Sequence, residues 1–243
     1  MIEISAAQPL LMLDPDLGQL LSEQRRQTAY QRLTARVATL VPGSWHPDAL
    51  LRAGDAASVG LLVLDGPIVR ELVVHDAPSA ELLGPGDVVR TWRAEGPPEL
   101  LARSVHWRAY GRARVALLGR DSALVLRSYP EVMTIVLDRL NARAERLALT
   151  QAISQITGVE TRVEALLWHL AERWGRVGRD GVIVGLQLSH RMIGSLIGAR
   201  RPTVSTAISR LAAQGRIHRR PDGSWLLTGE RPADRALADV LAA

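Results

Sequence analysis

The spacing of apolar positions changes several times along the chain. From Asp16 to Leu40 they recur at Leu17, Leu20, Leu21, Leu33, Val37 and Leu40 among charged residues, a helical spacing that predicts one or two N-terminal helices. Between Gly43 and Arg127 the apolar runs become short and are split by Gly, Pro and Asp: Gly60 to Leu64, Ile68 to Val74, Glu81 to Leu83, Val88 to Trp92, Val105 to Trp107 and Arg114 to Leu118. Strands at that spacing predict a sandwich, roll or barrel, with Asp65-Gly66 as a hairpin turn. From Pro130 to Thr157 no Gly or Pro interrupts, which predicts a helix of about 42 Å at roughly 1.5 Å per residue. Along it Met133, Leu137, Leu140, Ala144 and Leu147 are spaced 4-3-4-3, a heptad seam, while Val132, Ile135, Val136, Ile153 and Ile156 form a second apolar face. Such a helix can lie on its own domain and on a second copy at once. Burial within one subunit is the plainer alternative.

Gly158 breaks the run, and Val163, Leu166, Leu167 and Leu170 give a further helix from Glu160 to Trp174 one apolar face. A turn at Gly178 to Gly181 and a short strand over Val182 to Leu188 follow. Ser189 is then a helix N-cap, with Ile193 and Ile197 facing inward over His190 to Ile197. Gly198 closes that helix, and Pro202 sits in the first turn of the next, whose Val204, Ala207, Ile208 and Leu211 face inward. Small Gly194 and turn-forming Gly198 complete a helix-turn-helix. The second helix presents Arg201, Thr203, Ser205, Thr206, Ser209 and Arg210 outward, a surface able to enter a major groove. Arg216 to Arg220, Pro221-Asp222-Gly223 and Ser224 to Leu227 read as strand, tight turn, strand: a basic wing.

Charge sharpens this picture. All 30 basic residues are Arg, so Arg richness is a bias of the whole chain and says little by itself. Its placement says more. Residues 1–157 hold 17 Arg and 17 acids, whereas residues 158–230 hold 11 and 6. From Ser189 to Arg220 there are seven Arg and no acid, which fits a footprint for a polyanion better than a solvated face.

Leu188 to Leu211 resembles the DNA-reading element of the Crp/Fnr superfamily of bacterial transcription regulators. The resemblance extends over nearly the whole chain through Leu83-Gly84-Pro85-Gly86-Asp87, like the family's turn before its ligand cassette, and through the long helix, like its dimerisation helix. It implies an α+β fold: an N-terminal cyclic-nucleotide-binding-like β-roll with flanking helices (1–128), a dimerisation helix (129–157), a C-terminal winged helix-turn-helix (158–230) and a tail (231–243). It also implies a homodimer on a palindromic site in double-stranded DNA, with a small-molecule effector and RNA polymerase as further partners. In the family a base-reading Arg falls on Arg201; an acid often beside it is Pro202 here, and a second Arg one turn later is Thr206. Ser189, Arg200, Arg201, Thr203, Ser205, Thr206, Ser209, Arg219 and Arg220 are the expected DNA-binding residues, and Met133, Leu137, Leu140, Ala144 and Leu147 the expected dimer contacts. The Gly-Glu pair that follows the Gly-Asp turn in cyclic-nucleotide binders is absent after Asp87, so cyclic AMP is not expected in the usual mode. Arg90, Arg93 and Arg103 are the weak candidates for an anionic ligand.

Other chemistries find little footing. With no Cys there are no disulfides, thiolate metal sites or Cys nucleophile. Without Lys there is no Schiff-base or P-loop lysine chemistry. The six His lack metal-ligand spacing, which leaves a cupin-like metal-dependent enzyme as an alternative without its paired ligands. A constitutive DNA binder whose roll is only a scaffold is the other. The expectation is a cytoplasmic regulator, not an enzyme, with no cofactor, no metal and no membrane span.

Overall fold

The computed structural model describes residues 2–50, 58–90 and 101–229. The chain divides into two compact units, Met1–Ala77 with Glu81–Arg146, and Leu147–Ala243 with Pro78–Ala80.

In the first unit two sheets make a roll. One contains, in spatial order, β1 (Ile2–Pro9), β2 (Thr34–Leu40), β9 (Ala113–Leu118), β4 (Gly60–Asp65) and β7 (Val88–Val89). The other contains β3 (Gly43–Trp45), β8 (Arg103–Ala109), β5 (Ile68–Val74) and β6 (Ala77–Leu83). Alternation along β9 explains the layering, since Ala113, Val115 and Leu117 join a core between the sheets while Ala116 and Leu118 join a second core beneath helices. Those helices are α1 (Leu10–Leu13), α2 (Glu23–Arg32), α3 (Arg120–Leu126) and the first half of α4 (Pro130–Gln155). Leu10, Leu11, Ala29, Leu126, Val132, Ile135 and Val136 are their buried contributions.

Arg139, Arg143 and Arg146 share a face of α4 by their helical spacing and pair with Asp14, Glu81 and Asp87 of the same unit. Asp87 is buried, and its second oxygen accepts the Gly84 amide at 2.8 Å. The Gly-Asp turn is thereby fixed to the helix.

Several elements differ from the sequence expectation. Only Glu23–Arg32 of the N-terminal stretch is an α-helix of more than one turn; Leu33 ends it, and Val37 and Leu40 lie in β2, which pairs with β1 from Ile2↔Leu40 to Pro9↔Thr34. Burial on both faces of β2 imitates a helical spacing. Asp65-Gly66 is no hairpin turn, because β4 and β5 belong to different sheets; it passes the chain across, with Asp65 held by Arg114 at 2.6 Å. The expected tail at 231–243, Arg93 and the end of the Val88–Trp92 run lie outside the described residues.

The second unit contains α5 (Val159–Trp174), α6 (His190–Ile197), α7 (Arg201–Ala213) and a four-stranded sheet. The sheet runs β10 (Gly175–Gly178), β11 (Gly181–Val184), β13 (Trp225–Leu227), β12 (Ile217–Arg219). The strand expected over Val182 to Leu188 stops at Val184, and β10 is an addition to the sequence reading. Among the described residues no helix is long and apolar enough to cross a membrane.

Candidate nucleic-acid interface

Ser189 caps α6 by accepting the Met192 amide at 3.2 Å. Ile193, Ile197 and Val204 are fully buried and join α6 to α7. Gly198 ends α6 in the left-handed region (φ 65°, ψ 40°), with open space where a Cβ would stand. Gly194 is required for a different reason: a Cβ there would lie 2.3 Å from the Ala199 carbonyl oxygen, so the crowding comes from the turn backbone more than from α7. Gly198→Ala is therefore expected to cost about 1 kcal/mol, a conformational penalty alone. Gly194→Ala should cost about 2–3 kcal/mol by overpacking against an immovable carbonyl. Urea denaturation of both variants checks the order, and equal midpoints would contradict it.

On α7, Arg201, Thr203, Thr206, Ser209 and Arg210 are exposed. Ser205 is not outward as expected. It is half-buried, and its hydroxyl donates to the Arg201 carbonyl at 3.0 Å while lying 2.8 Å from His190 Nδ1. Burial, then the positive charges of Arg219 and Arg201, hold the His190 ring below its ordinary value of 6.5. His190 thus links α6, α7 and, through its neighbour Trp225 at 6.5 Å, the wing. Sequence reading missed this role, since nothing in the spacing pairs residue 190 with residue 205.

The acid-free stretch is less uncompensated than its sequence suggests. Arg216 forms a two-pronged pair with buried Glu164, one arm at 2.8 Å, and Arg210 meets Glu160 at 2.7 Å; both acids come from α5. In the wing, Arg219 lies over the Trp225 ring at 5.6 Å and Arg220 is 3.8 Å from Asp222. Asp222 also accepts from the Ser224 hydroxyl and amide, which shapes the tight turn and lowers its pKa. Among the described residues Arg200 and Arg201 form no ion pair. Arg200 and Arg201 thus place two unpaired charges at the start of α7, beside exposed hydroxyls.

A family model described as a Crp-like helix-turn-helix domain matches residues 161–228, from α5 through the wing. Residues 161–228 are a Crp-like helix-turn-helix domain. Solved structures share the fold of the whole chain. A CooA mutant from Carboxydothermus hydrogenoformans has a TM-score of 0.63 at 14% identity, covering 96% of this chain and 97% of that one. A cyclic nucleotide-binding domain containing protein from Listeria monocytogenes has a TM-score of 0.65 at 13% identity, covering 88% and 96%. TTHB099, a CRP-family transcriptional regulator from Thermus thermophilus, has a TM-score of 0.58 at 18% identity, covering 82% and 96%. No curated protein matches in sequence. The chain thus carries a Crp-like helix-turn-helix domain, on a fold that these solved structures share.

Of the other expected site residues, Leu137, Ala144 and Leu147 are exposed on α4, while Met133 and Leu140 pack partly on the helix-side core. Arg90 is exposed and donates to the Ser58 carbonyl at 3.3 Å; Arg103 starts β8 opposite Val74. Among the described residues no three His, Asp or Glu cluster as metal ligands do.

Proposed function

We propose that the chain acts as a homodimer on a palindromic operator in double-stranded DNA. In this reading 158–230 is the reading domain, 129–157 the dimerisation helix and 1–128 an effector-responsive roll, and the protein works in the cytoplasm by binding rather than by catalysis. Arg201 reads a base edge from the major groove. Thr203, Thr206 and Ser209 line the same surface, Ser189 and Arg200 flank it, and Arg219 and Arg220 grip phosphate. RNA polymerase is the partner through which occupancy of the operator would be felt. The observation that carries the reading is the exposed, unpaired Arg200-Arg201 at the head of α7, while Arg210 and Arg216 are neutralised by α5. Exposure of Leu137 (59%) and Leu147 (39%) on one heptad seam supports the second copy. Binding-site selection from random DNA is the test. An inverted repeat with half-site centres about 34 Å apart is expected, and selection of an asymmetric site would overturn the proposal.

Cyclic AMP in the family's usual mode is not part of it. Buried Val88 and Val89 follow Asp87 where that mode has Gly-Glu, and Arg146 occupies the Asp87 carboxylate. Calorimetry is expected to detect no tight cyclic AMP binding. Tight binding abolished by Arg103→Ala would reverse this.

A further inference from the structure

We propose that the first unit holds a binding site for a small amphipathic organic anion, in a cavity of about 520 Å³ between β2, β9 and the start of α3. This deepens the regulator reading by assigning the effector's class and place, although anion binding does not itself depend on DNA.

The residue that points to it is Arg36. Alternation along β2 puts Arg36 on the face of Ala38 and Leu40, which belong to the core between the sheets. Its ladder partners are Ala7 on one side and Leu117 on the other. An arginine thus stands at the mouth of an apolar interior. Arg120 lines the same cavity, and among the described residues neither arginine has an ion-pair partner, although Asp121 is also in the wall. Buried Leu50 and Leu117, members of the core on that face, supply an apolar floor.

Two unpaired guanidinium forks over such a floor fit one ligand chemistry: a carboxylate or phosphate head on an apolar body. The volume is within the range of sites that enclose small molecules. Asp121 offers an acceptor to a hydroxyl or amine on the ligand. Elements of the cavity's wall also pack against the start of the long helix through a shared core. Ser122 donates to the Thr34 carbonyl at 3.1 Å, fixing α3 on β2, and Leu126, Tyr129 and Val132 share one core with Ala35. An occupant that spreads β2 from α3 therefore presses on the first turn of α4.

Calorimetry on the intact protein with octanoate, octyl phosphate and octanol tests the site. At least one anion should bind, about tenfold or more tighter than octanol. The ranking of the two anions tells a carboxylate site from a phosphate site. The Arg36→Ala, Arg120→Ala double variant should lose that preference, and the Arg36→Gln, Arg120→Gln pair should lose it as well with less change of surface. Unchanged thermal midpoints of the two double variants without ligand would show that the loss is local. Equal affinity for octanol, retention of binding in both double variants, or no anion binding at millimolar concentration would overturn the site. Operator affinity with and without the bound anion then separates the layers: a shift in wild type that the double variants lack supports the effector role, and binding without a shift overturns that role alone.

Discussion

Arg201→Ala is expected to relax base preference at one position of each half-site while leaving much of the general affinity for DNA intact. Arg201 is exposed, lies at the N-terminal end of α7 and has no ion-pair partner among the described residues, so its guanidinium can offer both arms to one guanine. A bidentate contact of that kind is worth about 1–3 kcal/mol of discrimination, or roughly fivefold to 150-fold per half-site. The wing arginines should fail differently. Arg219→Ala should weaken all sequences alike and flatten the plot of log affinity against log salt by about one unit, as a phosphate contact does. Arg220→Ala should flatten it less, because Asp222 already offsets part of that charge. Salt titration of the three variants on selected and scrambled sites is the measurement. Arg201→Ala losing affinity without losing preference would move base reading to another residue.

The second large effect is expected on α4. Leu137→Glu with Leu147→Glu should turn dimers into monomers, because each carboxylate would be buried without a partner in the seam. A cost of about 3 kcal/mol or more corresponds to at least about a hundredfold weaker association. These two positions are better probes than Leu140, which also packs on the helix-side core and would destabilise the single chain if charged. Light scattering over a range of concentrations reads the mass directly. A dimer that persists in the double variant would place the interface elsewhere.

The winged helix-turn-helix was legible because its signals are local. Ser189 caps, Gly194 and Gly198 shape the turn, and the inward positions of α7 keep a helical period, so neighbours in sequence are neighbours in space. The N-terminal strands were hidden for the opposite reason. β2 is buried on both faces, with Ala35 in one core and Ala38 and Leu40 in the other, and this erases the alternation that marks a strand. β10 begins and ends with glycine and exposes Val177, so its residues read as part of a turn until β11 is set beside it. The candidate site shows the same divide. Exposure of Arg201 follows from helical period, but neutralisation of Arg210 and Arg216 by Glu160 and Glu164 depends on residues about fifty positions away, which only the packing of α5 brings near.

The position of β9, third of five strands and buried on both faces, sets how the roll opens. It pairs with β2 on one side and β4 on the other, so fraying of the edge strands β1 and β7 leaves its amides covered. Hydrogen exchange at Val115 to Leu117 is expected to be the slowest in the roll and to report the global stability of that unit. Strand β7, paired to β4 through only two residues, exchanges through small local openings instead. A ligand that binds only the folded roll should therefore slow exchange in β9 by a factor of about one plus the ratio of its free concentration to its Kd, which makes these few amides a gauge for ligands whose chemical identity is not known beforehand.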